Sequence, residues 1–454
     1  MRDPAVFESN SIEENARNPS RRRTGLGLAA CGLIVAGWLS QAQWAEPYGK
    51  SVWEIPGWNG GVPQAPQAPA DGKPGQGPGR PPQKAAEASN SANGSATKPP
   101  RAPYRIPRPR FDGEPPALEG GDLLAGRAES PRVPVLAYTH VYNSGRIQDG
   151  TNVLPEVLEA QLAYLREEGY KSISLEELHA FVRGTAKADP GRRVLLAFDE
   201  GSPSSRTTVA ALLERYDFTA VLFLSPMRLT DGGAEHLTRD DVRALLETGR
   251  FELGAYGLDR SALPRMDRRD ISRHLRESRR RLERELGVQV VDLAYPYGLY
   301  DRRVIESARE VGYRMAFTVN SGTIRPGMDP FTLPRLMIVG DTSPEQFAGG
   351  LQVRTPARLA LLPPDGSRVA AGQPFSLAMT GVESGSLNVR LRGIPLRLET
   401  RPGGFMSVFP AQLPGTYLPL TIRGRGADGR SFFKQVLYVR GDSPPEKGKP
   451  PVRR

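Results

Sequence analysis

The sequence predicts an α/β chain in which a (β/α) barrel is followed by an all-β sandwich of Ig-like type. Three observations predict it. Between residues 132 and 352, short apolar strand runs alternate with helical stripes, the pattern of a parallel sheet or barrel with helices outside. Between 355 and 442, short alternating runs are separated by Gly/Pro turns, the pattern of a sandwich. Ahead of both lie a charge-free stretch and a long Pro/Gly-rich stretch, which predict an N-terminal transmembrane helix and a disordered linker.

Residues 1–23 are polar and end in Arg21-Arg22-Arg23, and residues 24–45 carry no charge. A run of that length spans a bilayer as a helix. Basic flanks stay cytoplasmic. Residues 1–23 are therefore expected in the cytoplasm, and 24–45 as a transmembrane anchor or uncleaved signal. The chain is expected in a bacterial inner membrane as a single-pass protein, its bulk periplasmic or extracellular. Trp38 and Trp44 fit the outer interface. Three readings compete: a signal-peptidase site at Ser40-Gln41-Ala42, a lipobox at Leu28-Ala29-Ala30-Cys31, and a twin-arginine signal at Arg21-Arg22. The apolar run continues past Cys31, which a lipid anchor does not need. Cys31 is the single cysteine, so neither an intrachain disulfide nor a cysteine-based zinc site is available.

The chain has 43 Pro and 49 Gly among 454 residues, and they crowd into 46–130 with Ala, Ser and Gln. Such a segment cannot bury enough apolar surface to offset the entropy of ordering, and it reads as an extended spacer. The expected barrel follows at 132–352. Its strands are Val133–Tyr138, Val194–Phe198, Ala220–Leu224, Phe251–Ala255, Val290–Tyr295 and Arg314–Val319. Residues 155–169 carry Val157, Leu158, Leu162 and Leu165 on one helical stripe. In barrels of this kind, chemistry sits at the C-terminal ends of the strands. The Arg-rich stretch 267–285 reads as a solvated helix with i,i+4 ion pairs, and nucleic acid is not an expected partner of an exported domain.

In the predicted sandwich, 355–442, Phe375–Met379 and Leu387–Leu391 are strands, Pro414-Gly415-Thr416-Tyr417 leads into another, and Asp428-Gly429 marks a hairpin turn. Residues 443–454 form a basic tail. The net charge is +11, and residues 355–454 hold 15 Lys/Arg against 6 Asp/Glu, so most of the excess lies there. Attraction to an anionic polymer or membrane surface and a merely solvated basic surface both fit that balance.

The strongest local motif is Ala197-Phe198-Asp199-Glu200-Gly201 at a strand end. Two adjacent carboxylates before a sharp turn suit a cation or a proton, or simply solvent. The order of segments adds specificity. VPVLAYTH opens the domain, Ser174-Leu175-Glu176-Glu177-Leu178 precedes the acidic turn, and AVLFL follows it. Then come Phe251-Glu252-Leu253-Gly254-Ala255-Tyr256, Ala294-Tyr295-Pro296-Tyr297-Gly298 and Leu333-Pro334-Arg335. This succession resembles the NodB-homology polysaccharide deacetylases, especially the branch acting on biofilm poly-N-acetylglucosamine, over about 220 residues.

The resemblance implies a NodB-like barrel and metal-assisted amide hydrolysis. In that family one Asp is the general base, a second Asp and the two histidines of a His-x-x-x-His motif bind the metal, and a further His is the general acid. Here Asp199 matches the base, and Glu200 stands for the metal-binding Asp with one extra methylene. The two metal-binding histidines fall on Tyr256 and Arg260. Where the biofilm branch ends its first strand in Tyr-His, Tyr138 is followed by Thr139, and His140 comes one place later. His140 is the remaining candidate acid. The chain has four histidines, His140, His179, His236 and His274, and none forms a close pair. Carboxylates alone favour Mg or Ca over Zn. No metal or other cofactor is therefore expected. Arg260, if inward, pairs with Glu200 or Asp199; if outward, it is solvated. Glu200, Tyr256, Arg260, Tyr295 and Tyr297 are the candidate substrate contacts, the tyrosines either stacking on sugar rings or simply packing.

The function expected from these residues is a catalytically degenerate deacetylase homologue that binds or organises a cell-surface polysaccharide or exopolysaccharide, an anionic polymer being one fit to the basic C-terminal region. The alternatives are an active carbohydrate N-deacetylase with an atypical site, and an envelope scaffold whose sandwich binds a protein partner.

Overall fold

The computed structural model describes residues 131–441 apart from 144–149, 187–190, 230–235, 357–358, 380 and 384. The expected cytoplasmic segment, anchor, linker and basic tail, at 1–23, 24–45, 46–130 and 443–454, lie outside the described residues. Among the described residues no helix is long and apolar enough to cross a membrane.

The first domain is built from β1 (Val135–Tyr138), β2 (His140–Val141), β3 (Asn152–Val153), α1 (Pro155–Glu167), β4 (Lys171–Ser172), α2 (Leu175–Val182), β5 (Arg193–Asp199), α3 (Thr208–Tyr216), β6 (Ala220–Leu224), α4 (Arg239–Glu247), β7 (Phe251–Ala255), α5 (Arg268–Leu286), β8 (Asp292–Ala294), α6 (Arg302–Val311), β9 (Met315–Phe317), β10 (Leu336–Met337) and α7 (Pro344–Leu351). Local signals set the ends. Pro155 opens α1, whose Leu158, Leu162 and Leu165 are buried at helical spacing. Ser174 and Glu177 close a capping box on α2. Gly287 ends α5 in the left-handed conformation.

The strands run parallel in the order β10-β1-β5-β6-β7-β8-β9, with β4 beside β5. The segment after β9 touches both edges of this sheet: Leu333 bridges Phe317 of β9, and Leu336 pairs Leu136 of β1. The sheet thus curls into a barrel, which is the expected NodB-like architecture. β1, β5 and β6 are buried along nearly their whole length, as a parallel sheet covered on both faces requires.

Beyond α7 the chain is all β: β11 (Ala360–Leu362), β12 (Arg368–Val369), β13 (Pro374–Ala378), β14 (Asn388–Leu391), β15 (Ile394–Pro395), β16 (Glu399–Arg401), β17 (Gly404–Val408), β18 (Tyr417–Arg425) and β19 (Ser431–Arg440). One sheet is β11-β13-β17-β16 and the other β12-β19-β18-β14-β15, with Phe375, Leu377, Leu391, Leu420, Ile422 and Tyr438 between them. The opposite face of β18 and β19 is not free. Tyr417, Leu437 and Val439 belong to the same buried cluster as the barrel's Leu299, Tyr300 and Val304. Polar bonds reinforce this seam. Ser321 N donates to Gln435 Oε1 at 2.8 Å, Tyr300 Oη to Asp365 Oδ1 at 2.7 Å, and Arg368 reaches Asp301 at 3.3 Å. The sandwich is packed onto the barrel as an extension of its core.

Candidate functional site

The acidic turn sits where β5 ends. Asp199 is the last residue of β5 and is only 2% exposed. Its Oδ1 accepts a 2.8 Å hydrogen bond from Nη1 of Arg335, which is itself fully buried. Nε of Arg335 donates to the carbonyl of Thr318 at 2.8 Å, and its guanidinium lies over Phe223 at 5.8 Å. Burial raises the Asp199 carboxyl above its ordinary range, while Arg335 and then Arg260 pull it back.

Glu200 adopts φ +74°, and its N–H donates to Phe223 O at 2.9 Å. A non-glycine residue in that region is uncommon and costs free energy. Gly201 follows at φ +71°, a conformation that favours glycine, and a Cβ there would push on the Leu224 side chain. Glu200 is buried and pairs with Arg260, Oε1 to Nη2, at 2.8 Å. Arg260 adopts φ +68° and lies over the Tyr297 ring at 5.5 Å, and Tyr297 adopts φ +57°. Three strained residues from three loops therefore meet at one place, as happens where a site is held against local preference.

The loop after β7 supplies Tyr256 and Arg260, and α5 holds it from below. His274 Nε2 accepts from Leu258 N–H at 2.8 Å, Ser278 Oγ donates to Gly257 O at 2.7 Å, and Ser225 Oγ donates to Tyr256 O at 2.8 Å. His274 is thus buried and structural, which corrects its reading as part of a solvated polar helix. The i,i+4 ion pairs expected on that helix are present as Arg279–Glu283 and Arg281–Glu285, on flanks where it meets α6 and α4.

The Leu258 bond needs Nε2 unprotonated. Burial lowers the His274 pKa, with Asp259 opposing, so the fold prefers the neutral ring. The unfolded chain takes up its proton near its ordinary value of about 6.5. Stability from this group is therefore complete above about pH 6.5 and declines as pH falls below it. His274→Gln is expected to flatten that part of the wild-type stability profile between pH 7 and pH 5, measured by chemical denaturation. An unchanged profile would contradict this role.

The other candidates fall in different environments. Tyr256 is buried, and its Oη accepts from Tyr297 N–H at 3.0 Å. Burial, then Asp199 and Glu200, push its phenol well above the ordinary range, so it stays neutral. Tyr295 does not line the mouth as expected. It is fully buried, donates to Phe331 O at 3.0 Å and stacks on Tyr300 at 5.5 Å, because the Pro296 turn directs its ring into the core. Tyr297 is half-buried beneath Arg260. His140 pairs with Asn152 and stacks on Tyr142 at 6.1 Å, and the Tyr142 hydroxyl accepts from Ser202 Oγ at 2.8 Å. Asp199 is bonded by Arg335.

The arrangement is two acids met by two guanidiniums, with one phenol behind them. A divalent ion needs several anionic or imidazole donors around an open position. Among the described residues no three His, Cys, Asp or Glu side chains come together to hold one. The cationic Arg260 on Glu200 works against a metal at the turn, so the residues present do not fit the family's ion.

Comparison with known proteins agrees with the expected resemblance. Residues 186–316 match the family model for polysaccharide deacetylase. A poly-β-1,6-N-acetyl-D-glucosamine N-deacetylase of Staphylococcus epidermidis is 22% identical over 202 residues, covering 42% of this chain and 69% of that protein. The Escherichia coli K12 protein of the same name is 26% identical over 269 residues, covering 49% of this chain and only 39% of its own length. A deacetylase from Streptococcus pyogenes, solved in complex with acetate, aligns with TM-score 0.45 and 21% identity over 49% of this chain and 99% of that one.

Proposed function

We propose that this chain, whose central domain is homologous to polysaccharide deacetylases, is a catalytically degenerate member that binds or organises a cell-surface polysaccharide. One observation carries the reading: each carboxylate of the 199–200 turn is matched by an arginine, Asp199 by Arg335 and Glu200 by Arg260. Metal-assisted hydrolysis needs an ion that polarises the amide carbonyl and lowers the pKa of a bound water. In this chain side chains meet the negative charge instead. Arg260 keeps a quarter of its side chain exposed, and Tyr297 stays half-exposed beside it. Guanidinium and aromatic surfaces suit the hydroxyls and C–H faces of a sugar.

The polymer proposed is a β-1,6-linked N-acetylglucosamine chain, by analogy with the substrates in the relatives' names. Residues 24–45 would tether the protein to a bacterial inner membrane, with an Ig-like sandwich and barrel outside. The raised carboxyl of Asp199 favours a second reading, an active N-deacetylase with an atypical site.

For the first reading, the full chain is expected to bind β-1,6-linked N-acetylglucosamine oligomers, measured by titration calorimetry. Arg260→Ala should weaken binding about tenfold, the equivalent of ~1.4 kcal/mol. Absence of binding by the wild-type chain would overturn the reading.

A further inference from the structure

An arginine cluster lies far from the acidic turn, below the first barrel strand. Val133 and Ile324 exchange both backbone hydrogen bonds at 2.9 Å as an antiparallel bridge. That bridge brings Arg132 and Arg325, its flanking residues, close enough for their charges to act on each other. Val133 and Ile324 are fully buried, so the two arginines point the other way, outward.

A third arginine joins from the segment after α7. Thr323 donates from N–H to Thr355 Oγ1 at 2.9 Å and from Oγ1 to Val353 O at 2.7 Å. Arg354 lies between buried Val353 and Thr355, and its charge acts on Arg325. Arg132 Nη2 reaches Gln352 Oε1 at 2.6 Å, and Arg325 Nη1 reaches Thr355 O at 3.4 Å. All three arginines are part-buried.

Their partners do not balance their charge. Arg354 pairs with Asp428 at 2.9 Å. Arg132 and Arg325 meet only a neutral amide and a carbonyl, and neither has a carboxylate partner among the described residues. Like charges placed opposite on paired strands destabilise each other. Burial lowers the pKa of Arg325, and Arg354 and Arg132 lower it further. An anion between the guanidiniums would relieve this, and the planar fork of arginine suits the oxygens of a phosphate.

We propose that Arg132, Arg325 and Arg354 form a binding site for a phosphate group, at the end of the barrel opposite the acidic turn. The strand from Arg132 to Tyr138 separates the two places by roughly 20 Å. The site is independent of the polysaccharide reading. Its phosphate could be free or carried by a lipid headgroup, and the test has an arm for each.

The test uses the full chain. In the first arm, inorganic phosphate is titrated and the melting temperature is followed at constant ionic strength, with chloride as the control. The wild type should gain several degrees, and Arg325→Gln and Arg132→Gln should each lose most of that gain. In the second arm, vesicles of phosphatidylglycerol and of phosphatidylcholine are mixed with detergent-solubilised protein. Sedimentation with the former that Arg325→Gln abolishes assigns the phosphate to a headgroup; a response to inorganic phosphate alone assigns it to a free ion. No response of the wild type in either arm overturns the proposal. So does an equal response of wild type and both variants. Should Arg325→Gln fail to fold, Arg132→Gln, which removes only a bond to Gln352, decides alone.

Discussion

Arg335→Met is expected to cost about 3–5 kcal/mol of folding stability. Arg335 is fully buried and is the hydrogen-bonded ion partner of Asp199, which is 2% exposed. Removing the guanidinium leaves a buried carboxylate without its hydrogen-bonded counter-charge, with only the more distant Arg260 acting on it, and also strips the Thr318 carbonyl of a donor. A buried pair broken on one side costs more than the pair contributes when intact, because the remaining charge carries its full desolvation penalty. The double variant Asp199→Leu with Arg335→Met should therefore recover much of the loss. Two-state denaturation of the wild type, of Arg335→Met and Asp199→Leu separately, and of the double variant measures this coupling directly. A single-variant loss under about 1 kcal/mol would show that Arg335 does not hold a charged Asp199.

The second large effect is a gain. Glu200→Asp, Tyr256→His and Arg260→His, made together, are expected to create a zinc site. The changes shorten the carboxylate, supply two imidazoles four residues apart on one loop, and remove the guanidinium that occupies Glu200. Aspartate and two histidines are a ligand set that zinc accepts with an open position for water. The triple variant should retain about one zinc per chain after desalting, by elemental analysis. Zinc at a thousandfold excess over its dissociation constant would add about 4 kcal/mol of stability, seen as a raised melting temperature. Each double variant lacking one ligand should lose the metal. Failure of the folded triple variant to bind zinc would mean that Tyr256 and Arg260 do not occupy the ligand positions.

Much of the barrel was legible because its strands are short apolar runs bounded by turn residues. The expected Ala220–Leu224 and Phe251–Ala255 match β6 and β7 residue for residue. β8 and β9 are shorter than expected, spanning only Asp292–Ala294 and Met315–Phe317, while Val290 and Val319 are buried beyond their ends. β10 has only two residues and offers no periodic pattern to read. The acidic turn was legible at Asp199, Glu200 and Gly201, because a strand end, two acids and a glycine are adjacent in sequence. Leu333-Pro334-Arg335 carries part of the family resemblance, but nothing in the sequence marks Arg335 as a site residue. Its partner lies 136 residues away, and a single arginine after a proline carries no local mark of burial. Tyr295 and Tyr297 show the converse limit. They are two residues apart, but the turn between them puts the Tyr295 ring in the core and leaves the Tyr297 ring, at φ +57°, beside Arg260.

The seam between barrel and sandwich was equally hidden. Tyr417, Leu437 and Val439 read as ordinary strand residues, and only the fold shows that they complete the barrel's core. A sandwich that shares a core with its neighbour has less free surface for a separate partner than an independent module would.

Acetate release from β-1,6-linked N-acetylglucosamine oligomers tests the proposed degeneracy most directly. The full wild-type chain and Asp199→Ala would be assayed side by side, with divalent metal supplied. Positioned acid–base groups and an activated water each contribute orders of magnitude to such a hydrolysis. With Glu200 and Asp199 both held by arginines, the two proteins should release acetate at the same background rate. Turnover by the wild type that Asp199→Ala abolishes would contradict the proposal and make this chain a working deacetylase.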